Sequence, residues 1–291
     1  MDLDKIAIIM TTYNNEDIIA ATLESFLKQE YENLYLIITD DESKDNTPNI
    51  IKNYVEKNSK IILIEIPHGE RGVARKIAIE KAYEIEAEYI YILDSDMRLK
   101  ENLIKECYDY LKKHTEIGAL VIPEIPFSNS NNFYSKVKVF ERKIINNAGE
   151  NIGLNSIEAA RFWKTSEYKK TGGLNPKQIS FEEIQPTIRY LEMNGIIKRA
   201  TFTGVFHDEK KVTLQNLLSK KKYYFSVMNK TLETENNGFF KALTRWYFFR
   251  PVLYRSSNLI EYLKHPLLTF GMILMYLLLT LIALISLIKG K

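Results

Sequence analysis

The sequence has little of several features that point to common classes of protein. One cysteine, Cys107, occurs in 291 residues, which excludes an internal disulfide framework and fits a reducing compartment. We expect it to be a buried thiol of a helix. The 40 basic and 37 acidic residues leave a net charge of +3, so the overall charge gives no indication of nucleic-acid binding. No Gly-x-Gly-x-x-Gly segment follows the first strand-like run and no Gly-Lys-[Ser/Thr] loop occurs, so neither a dinucleotide-binding Rossmann site nor a P-loop is indicated.

The amino-terminal segment also lacks the basic stretch and the long apolar run of a secretory signal. Residues 1–5, Met-Asp-Leu-Asp-Lys, lead directly into a strand-like run. We therefore expect the amino-terminal part of the chain to stay in the cytosol. With 45% hydrophobic residues, the chain has enough apolar side chains to bury a sizeable core.

One long hydrophobic run stands out near the carboxyl end. Residues 266–288 carry no charge and would extend over about 34 Å as a helix, which is enough to cross a bilayer. Basic residues are more frequent on its amino-terminal side, which favours a cytosolic location for that side. These features predict a single-pass protein of the cell membrane with residues 265–288 as the transmembrane helix. The alternative is a helix buried in a protein core.

Upstream of this run, residues 239–262 mix aromatic and basic side chains, and Pro251 interrupts them. Such a mixture suits lipid headgroups, where amphipathic rings and cationic groups are both tolerated, but it is equally typical of a helix packed on a soluble domain. Because proline breaks or kinks a helix, we predict two short helices here. The chain is thus expected to divide into a domain of residues 1–210, an amphipathic helical region of residues 211–264 and the apolar helix.

The amino-terminal part of the chain alternates apolar runs typical of strands with segments of helical periodicity. Strands are predicted for residues 5–10, 34–39, 61–66 and 89–93, and helices for residues 16–29, 48–57 and 72–86. This order predicts an α/β fold with a mainly parallel, Rossmann-like sheet, right-handed crossovers and helices on both faces. In open sheets of this kind, ligands bind outside the carboxyl ends of the strands.

Polar residues follow each of the four predicted strands. They are Thr11-Thr12-Tyr13-Asn14, Asp40-Asp41, His68-Gly69-Glu70-Arg71 and Asp94-Ser95-Asp96. Since the carboxyl ends of parallel strands meet at one edge of a sheet, we expect these residues to converge on a single site. The carboxylates of Asp94 and Asp96 suit a divalent metal, Mn²⁺ or Mg²⁺, that also binds the phosphate groups of a ligand.

These segments resemble the family 2 glycosyltransferases, which share the GT-A fold of nucleotide-diphospho-sugar transferases. The resemblance rests on IAIIMTTYNN, LIITDDESKDNT, GVARKIAIEKA and YIYILDSDMRL, and it extends from about residue 5 to residue 195. It implies three residues around the nucleoside, namely Thr11, Tyr13 and Asp41. It also implies that Arg75 reaches the donor phosphates or base, that Asp94 faces the ribose or sugar, and that Asp96 binds the metal on the diphosphate.

A second part of the same resemblance implies a general base. Thr171-Gly172-Gly173-Leu174, followed by Ser180-Phe181-Glu182-Glu183, is similar to the family's Gly-Gly-Phe…Glu-Asp segment, whose second acidic residue removes the acceptor proton. That position holds Glu183, where aspartate is usual, and Glu182 is the neighbouring candidate. Alternatively, both glutamates favour the first turn of a helix by complementing its dipole.

Two further residues bear on the expected site. Lys76 stands where the family's Ala-Arg-Asn motif has asparagine, which leaves the contacts around Arg75 open. His207, in Phe206-His207-Asp208-Glu209, is a candidate metal ligand together with Asp94 and Asp96, as a late histidine is in some GT-A enzymes. The alternative for His207 is a hydrogen-bonded structural role.

The resemblance and the apolar run together predict a membrane-anchored, metal-dependent, inverting glycosyltransferase with a cytosolic catalytic domain. The expected donor is a nucleotide-diphospho-sugar, the expected acceptor is a hydroxyl group of a lipid-linked or other glycan, and membrane lipid is the other partner. A polyprenyl-phosphate glycosyltransferase is the close alternative, but a phosphate acceptor needs no base, so Glu183 favours the hydroxyl acceptor. A third alternative is a non-catalytic membrane scaffold that binds sugar nucleotides, against which the intact carboxylates argue.

Overall fold

The computed structural model describes residues 3–152, 159–175, 183–219 and 247–289. The chain divides into two compact units. The first is formed by Met1–Pro123, Glu150–Leu154 and Glu158–Phe206, and the second by Glu124–Gly149, Asn155–Ile157 and His207–Lys291. The division into residues 1–210, 211–264 and 265–288 stays a prediction.

Strands and helices alternate along the described chain. The strands are β1 (Ile6–Thr12), β2 (Leu34–Asp40), β3 (Ile61–Glu65), β4 (Tyr89–Asp94), β5 (Met97–Leu99), β6 (Ile117–Val121), β7 (Glu124–Phe127), β8 (Phe162–Lys164), β9 (Ile196–Arg199) and β10 (Val205–Asp208). The helices are α1 (Ile19–Leu27), α2 (Thr47–Val55), α3 (Glu70–Glu84), α4 (Leu103–Lys113), α5 (Phe133–Asn146), α6 (Thr165–Lys170), α7 (Ile184–Glu192), α8 (Ser256–Lys264) and α9 (Pro266–Lys289). The predicted strands and helices of the first hundred residues are all present, with ends that differ by up to three residues.

Among the described residues, seven strands of the first unit form one sheet in the order β3-β2-β1-β4-β8-β6-β9. Strand β1 pairs in parallel with β2 and β4, and β2 pairs in parallel with β3. Strand β8 runs antiparallel between β4 and β6, and β6 and β9 are parallel. The prediction of a mainly parallel sheet flanked by helices is therefore confirmed.

Both faces of this sheet are covered, as the uniformly apolar strands require. Along β1, side chains alternate between the two faces. Ile6, Ile8 and Met10 belong to one apolar cluster with α1, α2 and α4, whereas Ala7 and Ile9 belong to another with α3, α6 and α7. Helices on both faces leave only the strand ends open to a ligand.

Trp163 and Cys107 are core residues of the first unit. Trp163 is fully buried, and its indole N–H donates to the carbonyl oxygen of Ala160 at 2.8 Å. Cys107 is fully buried in α4, and burial raises the pKa of its thiol well above its usual range. Neither side chain is placed to contact a ligand.

The second unit contains α5, α8 and α9. Helical segments at Tyr247–Phe249 and Pro251–Tyr254 precede α8, and Pro251 begins the second of them. A single long helix is thus broken at this proline, as its missing N–H and fixed backbone angle predict. Residues 239–246 of the predicted amphipathic region lie outside the described residues.

Helix α9 is, within the described part of the chain, the one helix long and apolar enough to cross a membrane. Its segment Pro266–Ile285 has a mean hydropathy of 2.5. A third of the most apolar part of this segment is buried against protein. The length and composition predicted for the apolar helix are therefore present, together with a protein contact along one side.

Candidate active site

The carboxyl ends of β1, β2 and β4 bring polar residues to one edge of the sheet. The strand register pairs Thr12 with Asp40 and Thr11 with Asp94. Thr11, Asp40 and Asp41 are almost fully buried, so their polar atoms are held within the protein at the base of this edge. The predicted convergence of these strand ends follows directly from the parallel pairing.

Asp41 lies beside an exposed pair of rings. Its carboxylate accepts the backbone N–H of Gly69 at 2.7 Å, and its other oxygen lies 3.0 Å from Nδ1 of His68. The ring centroids of His68 and Tyr13 are 5.2 Å apart, and about half of each side chain is exposed. Exposed aromatic rings can stack on a nucleobase, and a neighbouring carboxylate can accept a hydrogen bond from it. Sequence analysis placed His68 at a strand end without assigning it a role.

The Asp94-Ser95-Asp96 loop connects the end of β4 to β5 and is fixed by Asn15, which precedes α1, and by Thr22 of α1. The hydroxyl of Ser95 accepts from the amide of Asn15 at 2.8 Å, and the carbonyl of Ser95 accepts from the hydroxyl of Thr22 at 3.0 Å. Ser95 is buried, whereas Asp94 and Asp96 are partly exposed. The two carboxylates thus project from a loop of defined shape. Sequence analysis missed the supporting role of Asn15, because nothing in the pattern links residue 15 to residue 95.

Asp94 and Glu183 share a cluster of arginines. Arg75 places one guanidinium nitrogen 2.9 Å from Asp94 and the other 2.8 Å from Glu183. Arg161 lies 2.8 Å from Asp94 and 3.2 Å from Glu183, and Arg71 lies 3.8 Å from Glu183. Guanidinium groups gathered at a strand end are the side chains that bind phosphate groups in many proteins. We call these five residues the arginine cluster.

The arginine cluster determines the charge of Asp94. Burial alone raises the pKa of this carboxyl group. The guanidinium groups of Arg161, Arg75 and Arg71 outweigh that effect and hold the pKa of Asp94 well below its ordinary value of 3.8. Asp94 is therefore ionised at neutral pH and acts in this structure as a partner of the arginines.

Arg75 is the most buried member of the cluster. It lies on α3, and only 1% of its side chain is exposed. A buried guanidinium group needs carboxylate partners to offset the loss of hydration, and Asp94 and Glu183 provide them. Its neighbour Lys76 points to the surface and pairs with Glu80 at 3.6 Å. The lysine that departs from the family's motif therefore leaves the position of Arg75 unaffected.

We expect Arg75→Met to lower the free energy of unfolding by about 3 kcal/mol, because it removes the most buried of the arginines that pair with Asp94 and Glu183. The matched control is Lys76→Met, which removes a charge from the next residue of the same helix and should change stability by less than about 0.5 kcal/mol. Urea unfolding followed by circular dichroism measures both. Equal stabilities of the two variants would show that the buried ion pairs do not stabilise the fold.

Glu183 lies immediately before α7. Its side chain makes no capping hydrogen bond to that helix and instead contacts Arg75 and Arg161. The orientation of this carboxylate is therefore determined by the two arginines and not by a hydrogen bond to the first turn of the helix. The predicted role of Glu183 as the base stays a prediction, and its neighbour Glu182 lies outside the described residues.

The Gly172-Gly173 pair follows α6 in a turn that only glycine adopts readily. Both residues have positive φ angles, of 73° and 69°. The carbonyl of Gly173 accepts from a guanidinium N–H of Arg189 on α7. The glycine pair thus forms a tight turn that is tied to the helix following Glu183.

Arg161 is the member of the arginine cluster that sequence analysis missed. Its backbone N–H donates to Leu120 of β6, and its carbonyl accepts from Ile92 of β4, both at 2.9 Å. Bonds to strands on either side fix the position of the guanidinium group relative to Asp94. No local pattern predicts this placement, because it depends on a three-residue antiparallel strand inserted between β4 and β6.

His207 lies in the second unit, in a group with two glutamates. Its Nδ1 lies 3.0 Å from Glu124 and 3.9 Å from Glu209. The possible ligand atoms of these three residues all lie within 4.8 Å of one another, as in a metal site. However, Arg142 lies 2.9 Å from Glu209 and 3.5 Å from Glu124, and it already provides a positive charge to both. The role of His207 as a metal ligand beside the Asp-x-Asp loop stays a prediction.

A parallel sheet that presents an Asp-x-Asp loop and a basic cluster at its carboxyl edge places this protein in the GT-A class of nucleotide-sugar transferases. The sequence model of the family described as glycosyl transferase family 2 matches residues 7–169, more than half of the 291 residues. The chain therefore belongs to glycosyl transferase family 2, a family of enzymes. The predicted family and enzyme class are confirmed.

Curated relatives are named as glycosyltransferases. UDP-Glc:alpha-D-GlcNAc-diphosphoundecaprenol beta-1,3-glucosyltransferase WfgD of Escherichia coli is 32% identical over an alignment of 139 residues, and the match covers 43% of this chain and 53% of WfgD. Poly(ribitol-phosphate) beta-N-acetylglucosaminyltransferase TarP of Staphylococcus aureus (strain N315) is 34% identical over an alignment of 127 residues, and the match covers 38% of this chain and 34% of TarP. The chain thus spans about half of the first relative and a third of the second.

Solved structures share the fold. Mannosyltransferase PcManGT from Pyrobaculum calidifontis, in complex with GDP-Man and Mn²⁺, has a TM-score of 0.62 at 14% identity and covers 96% of this chain and 87% of that chain. TarS 1-349 of S. aureus, in complex with UDP-GlcNAc, has a TM-score of 0.58 at 17% identity and covers 87% of this chain and 74% of that chain. At these identities the likeness demonstrates the common fold.

Proposed function

We propose that this enzyme is a metal-dependent, inverting glycosyltransferase that moves one sugar from a nucleotide-diphospho-sugar to a hydroxyl group of a lipid-linked glycan at the cytosolic face of a membrane. The observation that carries the proposal is the arginine cluster, in which Arg75 and Arg161 join Asp94, expected on the donor side, to Glu183, expected on the acceptor side. WfgD, whose name specifies UDP-Glc and a diphosphoundecaprenol-linked sugar, supports a lipid-linked acceptor and a uridine donor.

The residues at the sheet edge fit the parts of such a donor. Tyr13 and His68 present exposed rings on which a nucleobase can stack, and the carboxylate of Asp41 beside them is a hydrogen-bond acceptor. The guanidinium groups of the arginine cluster are of the kind that bind a diphosphate. Asp96 offers carboxylate oxygens, which Mn²⁺ and Mg²⁺ prefer as ligands, and the supported loop around Ser95 holds it in place. A divalent cation bound there would neutralise the charge that develops on the leaving diphosphate.

Glu183 is the residue that would activate the acceptor. Only 13% of its side chain is exposed, and two guanidinium groups hold it in one orientation. The carboxylate form that pairs with arginine is also the form that accepts a proton from an attacking hydroxyl group. Attack by that oxygen on the anomeric carbon, with departure of the nucleoside diphosphate, is a single displacement and inverts the anomeric configuration.

The alternative acceptor is a polyprenyl phosphate. Its oxygen is already ionised and needs no general base, so a carboxylate held at the site would have no proton to remove. An orientated Glu183 therefore favours a hydroxyl acceptor over a phosphate acceptor.

The acceptor is tested by incubating the purified full chain with Mn²⁺ and radiolabelled UDP-glucose in the presence of either undecaprenyl-diphospho-GlcNAc or undecaprenyl phosphate. We expect label in the diphosphate-linked acceptor only, and NMR of that product should show a β-linkage formed from the α-linked donor. Label in undecaprenyl phosphate would favour the alternative acceptor, and an α-linked product would contradict inversion. UDP-GlcNAc, GDP-mannose and dTDP-glucose, run in parallel, identify the donor if UDP-glucose is not used.

A further inference from the structure

Helix α9 has two apolar faces with different surroundings. One face is buried within the second unit, and its residues are Gly271, Met272, Met275, Tyr276, Leu279 and Ala283. The opposite face is exposed, and its residues are Leu267, Phe270, Ile273, Leu277, Leu281, Leu284 and Ile285. Spacings of three and four residues place each set along one side of the helix. A helix surrounded by lipid would be equally exposed on both sides.

The buried face of α9 packs closely and specifically on α5. A Cβ atom added at Gly271 would lie 2.6 Å from Cγ2 of Val137, so the helix backbones approach each other at this glycine. Further along, the hydroxyl of Tyr276 donates to the carboxylate of Glu141 at 2.9 Å in a buried position. Burial raises the pKa of Glu141, but Lys138 and the neighbouring arginines outweigh this and lower it to about 2. The contact therefore includes a buried, ionised carboxylate that a lipid-facing helix could not accommodate.

Helix α5 is too polar to lie at the depth of the hydrocarbon core. It carries five charged residues, and the side chains of Lys136 and Lys143 are exposed. The approach of Val137 to Gly271 and the hydrogen bond between Glu141 and Tyr276 place α5 beside the first part of α9. The residues of α9 beyond Tyr276, Leu277 to Lys289, extend over about 20 Å at 1.5 Å per residue. A membrane span needs about 30 Å of hydrocarbon around a helix, so the part of α9 beyond these contacts is too short to cross a bilayer.

We propose that α9 lies in the plane of the membrane, with its exposed apolar face inserted at the boundary between headgroups and acyl chains, instead of crossing the bilayer. In this arrangement neither apolar face of the helix contacts water, since α5 covers one and lipid covers the other. Interfacial helices combine an apolar face with a charged face, and here the charged side is provided by α5, which packs on the buried face of α9.

The residues before α9 extend the same surface. Exposed apolar and aromatic side chains on and before α8 are Phe249, Tyr254, Leu259, Ile260 and Leu263. Arg255 and Lys264 are exposed among them, and residues 247–264 hold three basic residues against one acidic residue. Positive charge next to exposed rings and aliphatic groups complements anionic lipid headgroups. The occupant of this surface is therefore a lipid bilayer.

Depth measurements distinguish the two orientations. Full-length protein carrying Leu267→Cys, Leu277→Cys or Leu284→Cys is labelled with a fluorophore, and Cys107 does not compete because its thiol is buried with a raised pKa. The protein is added to phosphatidylethanolamine–phosphatidylglycerol (3:1) vesicles, and quenching by brominated lipids reports the depth of each label. We expect the same shallow depth, about 5–10 Å below the headgroups, at all three positions. A transmembrane helix would place Leu277 near the bilayer centre and Leu267 and Leu284 near opposite surfaces, so a label at Leu277 that is about 10 Å deeper than the other two would overturn the proposal.

Introducing charges into the exposed face of α9 tests the surface itself. The double variant Leu277→Glu and Leu281→Glu should weaken flotation with the same vesicles at least about 10-fold, because both side chains would leave lipid contact. The matched control is Met193→Glu, which changes an equally exposed apolar residue of the first unit and should leave vesicle binding unchanged. Unchanged binding of the double variant would overturn the proposal. Light scattering tests whether a second copy of the chain covers this face instead. That result would require a stable wild-type dimer that does not bind vesicles and that is lost in the double variant.

Discussion

Glu183→Gln will reduce the rate of sugar transfer by about 10²- to 10⁴-fold, the usual contribution of a general base. Glutamine has the same shape as glutamate, and its carbonyl oxygen can still accept from Arg75 or Arg161. It cannot accept the proton of the acceptor hydroxyl group. The donor site should stay intact, so the affinity for the nucleotide sugar should change by no more than a few-fold. Rates at saturating donor and calorimetric donor affinities separate the two effects.

The matched control for this variant is Glu80→Gln, an exposed glutamate on α3 that pairs only with a surface lysine among the contacts described here. It should retain full activity. A wild-type rate in Glu183→Gln would show that another group is the base, and Glu182→Gln should then be the inactive variant. Some loss of thermal stability is expected in Glu183→Gln because its ion pairs with the arginines are weakened. A fall in donor affinity together with the rate would show that the site is disrupted and that the loss of activity does not report on the base.

Asp96→Asn will lower the transfer rate by about 10²- to 10³-fold and remove the metal dependence of donor binding, because an amide oxygen is a weaker ligand for a hard cation than a carboxylate. The substitution preserves the size of the side chain, so the support of the loop by Asn15 and Thr22 should remain. Donor affinity measured by calorimetry with and without Mn²⁺ checks the second part of this prediction. In wild type the metal should strengthen binding, and in the variant it should have no effect.

The control for this measurement is Asp109→Asn on α4, an exposed carboxylate paired with Lys105. It should keep the metal dependence of wild type. If Asp96→Asn kept that dependence as well, the ion would have to be bound elsewhere. The group formed by Glu124, His207 and Glu209 would then be the next place to test, through Glu209→Gln.

The sequence was sufficient to predict the central sheet because each of its first four strands is a continuous apolar run bounded by polar residues. Residues 89–93, for example, are apolar at every position because helices cover both faces of the sheet. Helix ends were predicted less well, since the periodic residues of α1 begin after the polar turn at Asn15 and Glu16. Strand β8 could not be predicted, because three residues carry no periodicity and its antiparallel partners lie about 40 and 70 residues away in sequence.

Residues of the candidate active site were likewise predicted where local patterns place them and missed where distant segments pair. The Asp-x-Asp loop and the residues after β1 and β2 were predicted because parallel strands bring their ends together. Arg161 was not predicted, because its position depends on β8. The protein contact of α9 was not predicted either, since a sequence of uniformly apolar residues looks the same whether one face meets lipid or a polar helix such as α5. Both misses concern pairings between distant segments, which local patterns do not encode.

The central claim is that the sheet edge binds a nucleotide-diphospho-sugar together with a metal, and thermal unfolding of the full chain in detergent tests it most directly. The wild-type protein, Glu183→Gln and Asp96→Asn are each heated with UDP-, GDP- and dTDP-sugars, with and without Mn²⁺. A ligand that binds only the native state must raise the melting temperature. We predict that one nucleotide class stabilises wild type and Glu183→Gln in a metal-dependent way and that Asp96→Asn loses this stabilisation. No shift with any donor, in protein that unfolds cooperatively, would contradict the proposed donor site.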